Sequence, residues 1–558
     1  MGIPLFFKIL SESYDDCIHE KIENIQSLFL DMNGIIHPCS SRALDENYTH
    51  KYKDKYEKKI FFEIENELKK IIMLTKPQFV YMAIDGVAPA SKMKQQRSRR
   101  YKNIALKKEM DDIYDSCNIK TTGETWDKNV ISPGTPFMNS LSKHLKDHIF
   151  NDPFYTNLDV ILDDSMNPGE GEHKLINFIK KHEFNESKNI VIHGLDADLI
   201  MLAMGTHQNN IYLLRDQYDK NLFFDIDTMK LNIIQDFKER YFNGSSNGYI
   251  DPSKYIDIIN DYIFICFFLG NDFLPHLLGI DLRYNGLNYI MDNYVQSYNL
   301  TNSTITNKDK LNTNVIKVFL SKLNNDYEYQ VKKIFNKRRA LRKNFKINAT
   351  DDFEKFNQLL NNRPTMKNPD EDYIIYNNAY TKNWKYRYYK KACGEINKGT
   401  IDLMCENYIE GLMWVYKYYN EGCKNWTWKY EFHNGPLLCD LFHYINKNVT
   451  NINKEFVLPK NKPNHHNIQL LSILPLNSLP KELSDIVKDS SFSYLFPEDF
   501  ELNTLFKRYY WECEPILPDV NIEKLKNEVM KKNKKLLKKE TGCIIFKNKV
   551  TSSSSHHD

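Results

Sequence analysis

None of the ten cysteines forms a Cys-x-x-Cys pair, and none lies beside histidine at zinc-ligand spacing. That excludes the common structural zinc modules and points to free thiols in a reducing compartment. Long apolar runs are missing as well. The most apolar stretch, Tyr262 to Leu269, is far too short to span a bilayer, so no membrane association is expected. Met1-Gly-Ile-Pro4 carries no basic segment ahead of an apolar run and does not read as a signal peptide. Phe6 stands where a myristoylation motif wants Ser or Thr, which speaks against lipidation of Gly2. Neither sign of charge dominates: 76 basic and 73 acidic residues leave a net +3. Any affinity for nucleic acid must come from local patches. The expectation is an intracellular protein, cytoplasmic rather than nuclear.

What remains is a well-packed chain. Its 558 residues exceed one ordinary core, and 41% hydrophobic content with 32 Phe and 35 Tyr describes several folded domains. Ser27-Leu-Phe-Leu-Asp31 reads as a buried strand ending on a carboxylate, and Phe79-Val-Tyr-Met-Ala-Ile-Asp85 repeats that grammar. Leu158 to Leu162 leads into Asp163 and Asp164, and Asn189 to His193 leads into Gly194-Leu-Asp-Ala-Asp198. Asn210 to Leu214 is a further strand without a terminal acid. Helix-period segments separate these strands, for instance Tyr56 to Leu74 and Leu141 to Phe150. Strands alternating with helices predict an α/β fold, a parallel sheet flanked by helices. Ligands of such sheets bind outside the carboxyl ends of the strands, where these acids converge.

The stretch Pro168-Gly-Glu-Gly-Glu-His-Lys174 follows the third strand and opens a helical pattern. Glu170 and Glu172 side by side would repel by about 3 kcal/mol at roughly 5 Å and an effective dielectric near 20. An isolated pair of this kind is most simply an exposed acidic turn. Together with Asp31, Asp85, Asp196, Asp198 and Asp272, each at the end of an element, it reads as a cradle for divalent metal. All-oxygen donors suit Mg²⁺ or Mn²⁺, and two ions about 4 Å apart suit phosphodiester hydrolysis. Soon after Asp85, the positions Lys92, Gln96, Arg99 and Arg100 fall on one helical face. That face matches a single phosphate group. His37, Trp426 and Trp428 are candidate platforms for unpaired bases.

The first 297 residues are expected to form the core bearing the metal and phosphate sites. Residues 298–372 turn to Asn, Lys, Thr and Asp and read as a connector or insertion containing a basic segment of Lys332, Lys333, Lys337, Arg338, Arg339, Arg342 and Lys343. Residues 373–520 regain helical periodicity (Met404, Tyr408, Leu412, Val415) and are expected to complete the pocket; the Lys-rich tail 521–558 is expected to be partly disordered.

Several blocks carry a family resemblance. Asp31-Met-Asn-Gly-Ile-Ile-His-Pro-Cys39, Ala83-Ile-Asp-Gly-Val-Ala-Pro89 with Lys92 to Arg100, Pro168 to Lys174, Gly194 to Asp198 and Phe267-Phe-Leu-Gly-Asn-Asp-Phe-Leu-Pro-His276 resemble the signature blocks of XRN-type 5′→3′ exoribonucleases. Ile131-Ser-Pro-Gly-Thr135 is similar too, and Tyr408 to Trp414 with Trp426-Thr-Trp428 resembles that family's second conserved region. The resemblance implies a nuclease core of the PIN and flap-endonuclease type with a mainly helical second region. It implies that the seven acids hold catalytic metal, that Lys92, Gln96, Arg99 and Arg100 form a 5′-monophosphate pocket, and that His37 stacks a base with Trp426 or Trp428. The implied activity is processive 5′→3′ hydrolysis of 5′-monophosphorylated single-stranded RNA to nucleoside 5′-monophosphates by a monomer, with decapping or RNA-decay proteins as candidate partners. A flap-type DNA nuclease and an inactive RNA-binding scaffold are the alternatives. Ala90-Ser91 and Lys94 depart from the family's usual Arg-Ala and Asn, and Lys429-Tyr-Glu-Phe-His433 is diverged. The chain ends soon after the second region, so the extra C-terminal domains of the large cytoplasmic paralog are not expected.

Overall fold

The computed structural model describes residues 5–43, 48–119, 124–217, 220–244, 249–375, 383–394, 397–488, 491–538, 542 and 544–547. Its centre is an eight-stranded sheet. In chain order the strands are β1 (Ile18–His19), β2 (Ile25–Asp31), β3 (Phe79–Ala83), β4 (Asp159–Asp163), β5 (Asn189–His193), β6 (Ile211–Gln217), β7 (Lys220–Asp225) and β8 (Ile544–Lys547). Spatially they run β1-β7-β6-β5-β2-β3-β4-β8. The five inner strands are parallel, with Leu28 opposite both Val80 and Val191, and antiparallel pairs close the two sides. From β2 the chain builds one way through β3 and β4, then returns to place β5 on the other flank. The topological switch point thus lies between β2 and β5, where a parallel sheet leaves a crevice.

Inner strands buried on both faces read as continuous apolar runs, which is why all five parallel strands were legible. One face packs on α2 (Asn33–Ala43), α3 (Lys53–Thr75) and α5 (Pro136–Asn151), through residues such as Leu28, Ile64 and Leu141. The other packs through Phe29 and Ile192 on α6 (Gly171–Lys181), α7 (Leu199–Met204), α8 (Ile226–Tyr241) and α9 (Tyr255–Cys266). This second core is continuous with the helical half of the chain, including α10 (Gly286–Thr301), α11 (Thr313–Asn325) and the long α16 (Lys398–Glu421). Between the halves runs α4 (Ala90–Ser116), with α1 (Phe6–Ser13) near the second core.

The structure adds detail to three sequence expectations. Residues 298–372, read as a polar connector or insertion, are mostly helical: α11, α12 (Tyr327–Asn344) and α13 (Asp352–Met366) fill most of them. Val315, Phe319 and Leu323, then Val331 and Phe335, keep helical spacing beneath the polar composition and are buried. The tail contains helix Ile522–Asn533 and strand β8, which covers the β4 edge. The strand from Asn210 continues to Gln217 and turns back as a β6–β7 hairpin. Among the described residues no helix is long and apolar enough to cross a membrane, and the nine described cysteines are free thiols.

Candidate active site

Parallel strands end on the same edge, so the loops after β2, β3, β4 and β5 meet there. Asp31 is the last residue of β2 and Asp85 follows β3 by two. Asn33 ties them together: its Nδ2 donates to Asp85 Oδ2 (2.7 Å), its Oδ1 accepts from the Asp85 amide (3.3 Å), and its own amide donates to Asp31 Oδ1 (3.2 Å). The loop after β4 brings in Glu170, at the N-terminus of α6, and Glu172 in its first turn. Here the need for glycine is concrete. A Cβ on Gly171 would lie 2.9 Å from Asp31 Oδ1 and 3.0 Å from the Ala83 carbonyl, and the bare backbone instead donates its N–H to Asp85 Oδ1 at 2.6 Å.

Buried Lys174 locks that loop by donating to Asp163 Oδ1 (2.9 Å), the Ile84 carbonyl (2.8 Å) and the Asp164 carbonyl (2.9 Å). Asp163 is thereby neutralised and serves the scaffold. After β5, Arg215 donates to the carbonyls of Leu195 (2.7 Å) and Asp196 (2.5 Å), holding the turn that presents Asp196 and Asp198. Asp272 arrives on the loop after α9.

One oxygen each from Glu172, Asp196 and Asp198 lie within 4.8 Å of one another. Burial, then the neighbouring Asp198, pushes the Glu172 carboxyl well up; burial likewise raises Asp31, with Asp85 and Asp196 adding to it. Asp198 is pushed up to about 6, chiefly by burial, and its Oδ1 is buried with no hydrogen-bond partner. A set of buried oxygens, one of them orphaned, fits a hard divalent cation. Lys92 supplies positive charge beside it. Its Nζ lies 2.5 Å from Glu170 Oε2 and 2.8 Å from Asp272 Oδ2. Burial alone would lower the Lys92 pKa, but Asp272 and Glu170 hold it well above its ordinary value. Burial raises Asp272 too, and the Lys92 charge outweighs this to leave it below the usual carboxylate range.

The basic face is therefore split. Lys92 points to the acids, while Arg99 and Arg100 both act on His37. Arg100 donates to Ser132 Oγ (2.7 Å) and the Gln96 carbonyl (3.2 Å), and its Nε and the Gln96 Oε1 are buried without partners. The unpartnered guanidinium nitrogen is a donor of the kind that suits an anion. Burial and the two arginines lower the His37 pKa to about 4, so its ring is neutral at pH 7.

Both tryptophans are buried, Trp426 at 9% and Trp428 at 7% exposure, but their surroundings differ. Trp428 is core: it stacks on Trp414 (5.2 Å, 26°), and its Nε1 donates to Glu410 at 3.3 Å. Trp426 lies outside the apolar core clusters, and its carbonyl accepts the Ala90 amide at the start of α4 (2.9 Å).

Sequence reasoning missed several contributors. Tyr418 donates to Glu170 Oε1 (2.7 Å) and stacks on His173 (3.8 Å), and the Tyr419 hydroxyl reaches Asp198 Oδ2 at 3.4 Å. Both lie on α16, more than 200 residues away, and no local pattern signals that pairing. Asn33 lies two residues after Asp31, and an amide so close to a site acid was the available clue. Lys94 donates to the carbonyls of Tyr430 (2.5 Å) and Phe432 (3.1 Å), so one departure from the family pattern grips the other.

Comparison with known proteins adds to this geometry. Residues 1–217 match the family model described as the XRN 5′-3′ exonuclease N-terminus, and residues 253–379 and 370–552 match the Xrn1 helical domain. The chain is 27% identical to the 5′-3′ exoribonuclease 2 of Debaryomyces hansenii, over all of this chain and 72% of that protein. It is 27% identical to the Drosophila melanogaster 5′-3′ exoribonuclease 2 homolog, over 94% of this chain and 70% of that one. Similarity to human 5′-3′ exoribonuclease 1 is 28% over 98% of this chain, which spans 35% of the human protein.

Proposed function

The chain belongs to the XRN 5′-3′ exonuclease family and is a 5′-3′ exoribonuclease, and on that premise we propose that it hydrolyses 5′-monophosphorylated single-stranded RNA one nucleotide at a time. The observation that carries this reading is the adjacency of two unlike sites. On one helix, Arg99 and Arg100 act on His37 while Lys92 reaches Glu170 and Asp272 at the carboxylate edge.

Gln96, Arg99 and Arg100 take the terminal phosphate, since guanidinium forks and an amide match the oxygens of one phosphate. The neutral His37 ring and Trp426 hold the first bases by stacking, and Trp428 supports that segment from within the core. Together they register one phosphodiester over Asp31, Asp85, Glu170, Glu172, Asp196, Asp198 and Asp272. One or two Mg²⁺ or Mn²⁺ ions held by these acids would supply activation of water and stabilisation of the leaving oxygen. Asn33 and Tyr418 fix the carboxylate orientations, and burial keeps the oxygens free of competing water.

Water attacks phosphorus and the 3′-oxygen of the first nucleotide departs, releasing a nucleoside 5′-monophosphate. The attacked phosphate stays on the next nucleotide, so each turnover regenerates the preferred end and supports processive advance. A cap or triphosphate places more bulk and charge than this pocket matches.

The test supplies Mg²⁺ and RNAs identical except for a 5′-phosphate, 5′-hydroxyl or cap, with a DNA flap of matched sequence. The phosphorylated RNA should be consumed fastest and yield 5′-mononucleotides. Equal rates on phosphate and hydroxyl ends would remove the pocket, and preferential cleavage of the flap would favour a structure-specific DNA nuclease.

A further inference from the structure

Helix α12 carries seven basic residues, and their fates differ. Arg338 is buried and grips Glu371 through Nε (3.0 Å) and Nη2 (2.7 Å), while Arg342 pairs with Asp372. Lys332, Lys337, Arg339 and Lys343 are exposed and Lys333 is half-buried. None of these five has an ion-pair partner among the described residues. The acids nearby are committed elsewhere: Glu328 to Lys385 (2.9 Å) and Asp370 to Lys391 (2.6 Å). In a chain whose net charge is only +3, this is a strong local concentration. Lys332, Arg339 and Lys343 recur at i, i+7 and i+11, one stripe about 16 Å long.

A different side of α12, at Lys337, leads toward the acid edge. Lys337 lies 5.6 Å over the Tyr284 ring and lines a cavity of about 330 Å³ together with Arg283. Arg283 also lines a larger groove of about 680 Å³ that passes Lys102 and Lys94 and reaches Asn271, Asp272 and Phe273. The groove's own charges are largely balanced, with Arg283 on Glu512 (2.5 Å) and Lys507 on Glu514 (2.7 Å). The unbalanced charge lies outside the groove, on the exposed side of α12.

We propose that the exposed face of α12 is a docking surface for the sugar-phosphate backbone of the downstream, 3′ portion of a single-stranded RNA whose 5′ end occupies the acid site. This rests on the functional reading above and adds a second, length-dependent contact to it. Unpaired cations displace counterions from an RNA strand, and each adds about 0.7 to the slope of log affinity against log salt.

The experiment compares the full chain with its Lys332→Gln/Arg339→Gln/Lys343→Gln variant, metal-free, on 5′-phosphorylated RNAs of about six and about thirty nucleotides across a salt series. For the long RNA the variant should lose roughly tenfold or more in affinity and its salt slope should become shallower by about 2. Affinity for the short RNA, and its Mg²⁺-dependent hydrolysis rate, should match the parent. Unchanged long-RNA affinity and slope would overturn the proposal, as would equal losses at both lengths. Loss confined to an acidic polypeptide such as polyglutamate would also overturn it, marking a protein-binding face instead. A parent that binds the long RNA but ignores the 5′-phosphate of the short one counts against the functional reading, while the length comparison still reports on α12.

Discussion

Replacing Lys92 with methionine removes a charge and keeps the length of the side chain. Its ammonium lies 2.5 Å from Glu170 and 2.8 Å from Asp272, with the side chains of all three 11% exposed or less. Each contact is worth about 6 kcal/mol of gross Coulomb energy at an effective dielectric near 20, and desolvation cancels much of that. Leaving buried charges without their partner costs about 3–5 kcal/mol. For the metal-free protein, a chain of 558 residues, this corresponds to a fall in Tm of about 3–4 °C at neutral pH. Two controls identify the cause. As pH falls, the gap should narrow, beginning with Glu170, whose pKa is raised by burial, whereas Asp272 in the parent is held below the usual carboxylate range by Lys92. With Mg²⁺ the variant should gain more stability than the parent, because a bound cation replaces the missing one. Differential scanning calorimetry at pH 5 and pH 7.5, with and without Mg²⁺, reads all three effects. Equal Tm values without metal, or an identical response to Mg²⁺, would refute the reasoning.

Gly171→Ala should reduce kcat about a hundredfold with folding intact, since the new methyl would displace Asp31 or the Ala83 carbonyl by a few tenths of an ångström; single-turnover hydrolysis with a circular dichroism control checks it. Trp426→Ala should raise KM for phosphorylated RNA, whereas Trp428→Ala should cost about 3–5 kcal/mol of stability by emptying a core position and leave KM of the folded enzyme unchanged; steady-state kinetics alongside denaturation separates platform from core. His37, whose folded pKa is lowered to about 4, gives stability that is fully present above its unfolded pKa near 6.5 and is lost as pH falls from there toward 4. His37→Gln should flatten the stability profile over that window, and an imidazole NMR titration midpoint near 6.5 would contradict the assignment.

The acid edge was legible because four of the five parallel strands are apolar runs that lead to a carboxylate, as in Phe29-Leu30-Asp31 and Ile192-His193 ahead of Asp196. A parallel sheet then forces those ends together, so the site followed from topology before any contact was known. The division of labour inside the basic face was not legible. Helical spacing placed Lys92 with Gln96, Arg99 and Arg100, but only the tertiary fold sets Asp272 and Glu170 at the tip of Lys92 and Ser132 at the tip of Arg100. The α16 tyrosines were invisible for the same reason, since their partners lie across the chain. Short edge elements also escaped notice: Ile544–Lys547 has too few residues to show alternation, and its pairing with β4 is what makes it a strand. In residues 313–344 the helical period was present, but the Asn and Lys composition obscured it.

The central claim is that the carboxylates at the strand ends perform metal-dependent cleavage while other groups bind the RNA. The most direct measurement pairs Mg²⁺-dependent turnover with metal-free RNA binding in the Asp196→Ala/Asp198→Ala variant. Both acids belong to the closest carboxylate triplet, and Asp198 carries the orphaned oxygen. The account predicts that turnover of 5′-phosphorylated RNA falls below detection while affinity stays within about threefold, or some 0.6 kcal/mol, of the parent. Turnover that survives the double substitution would contradict it.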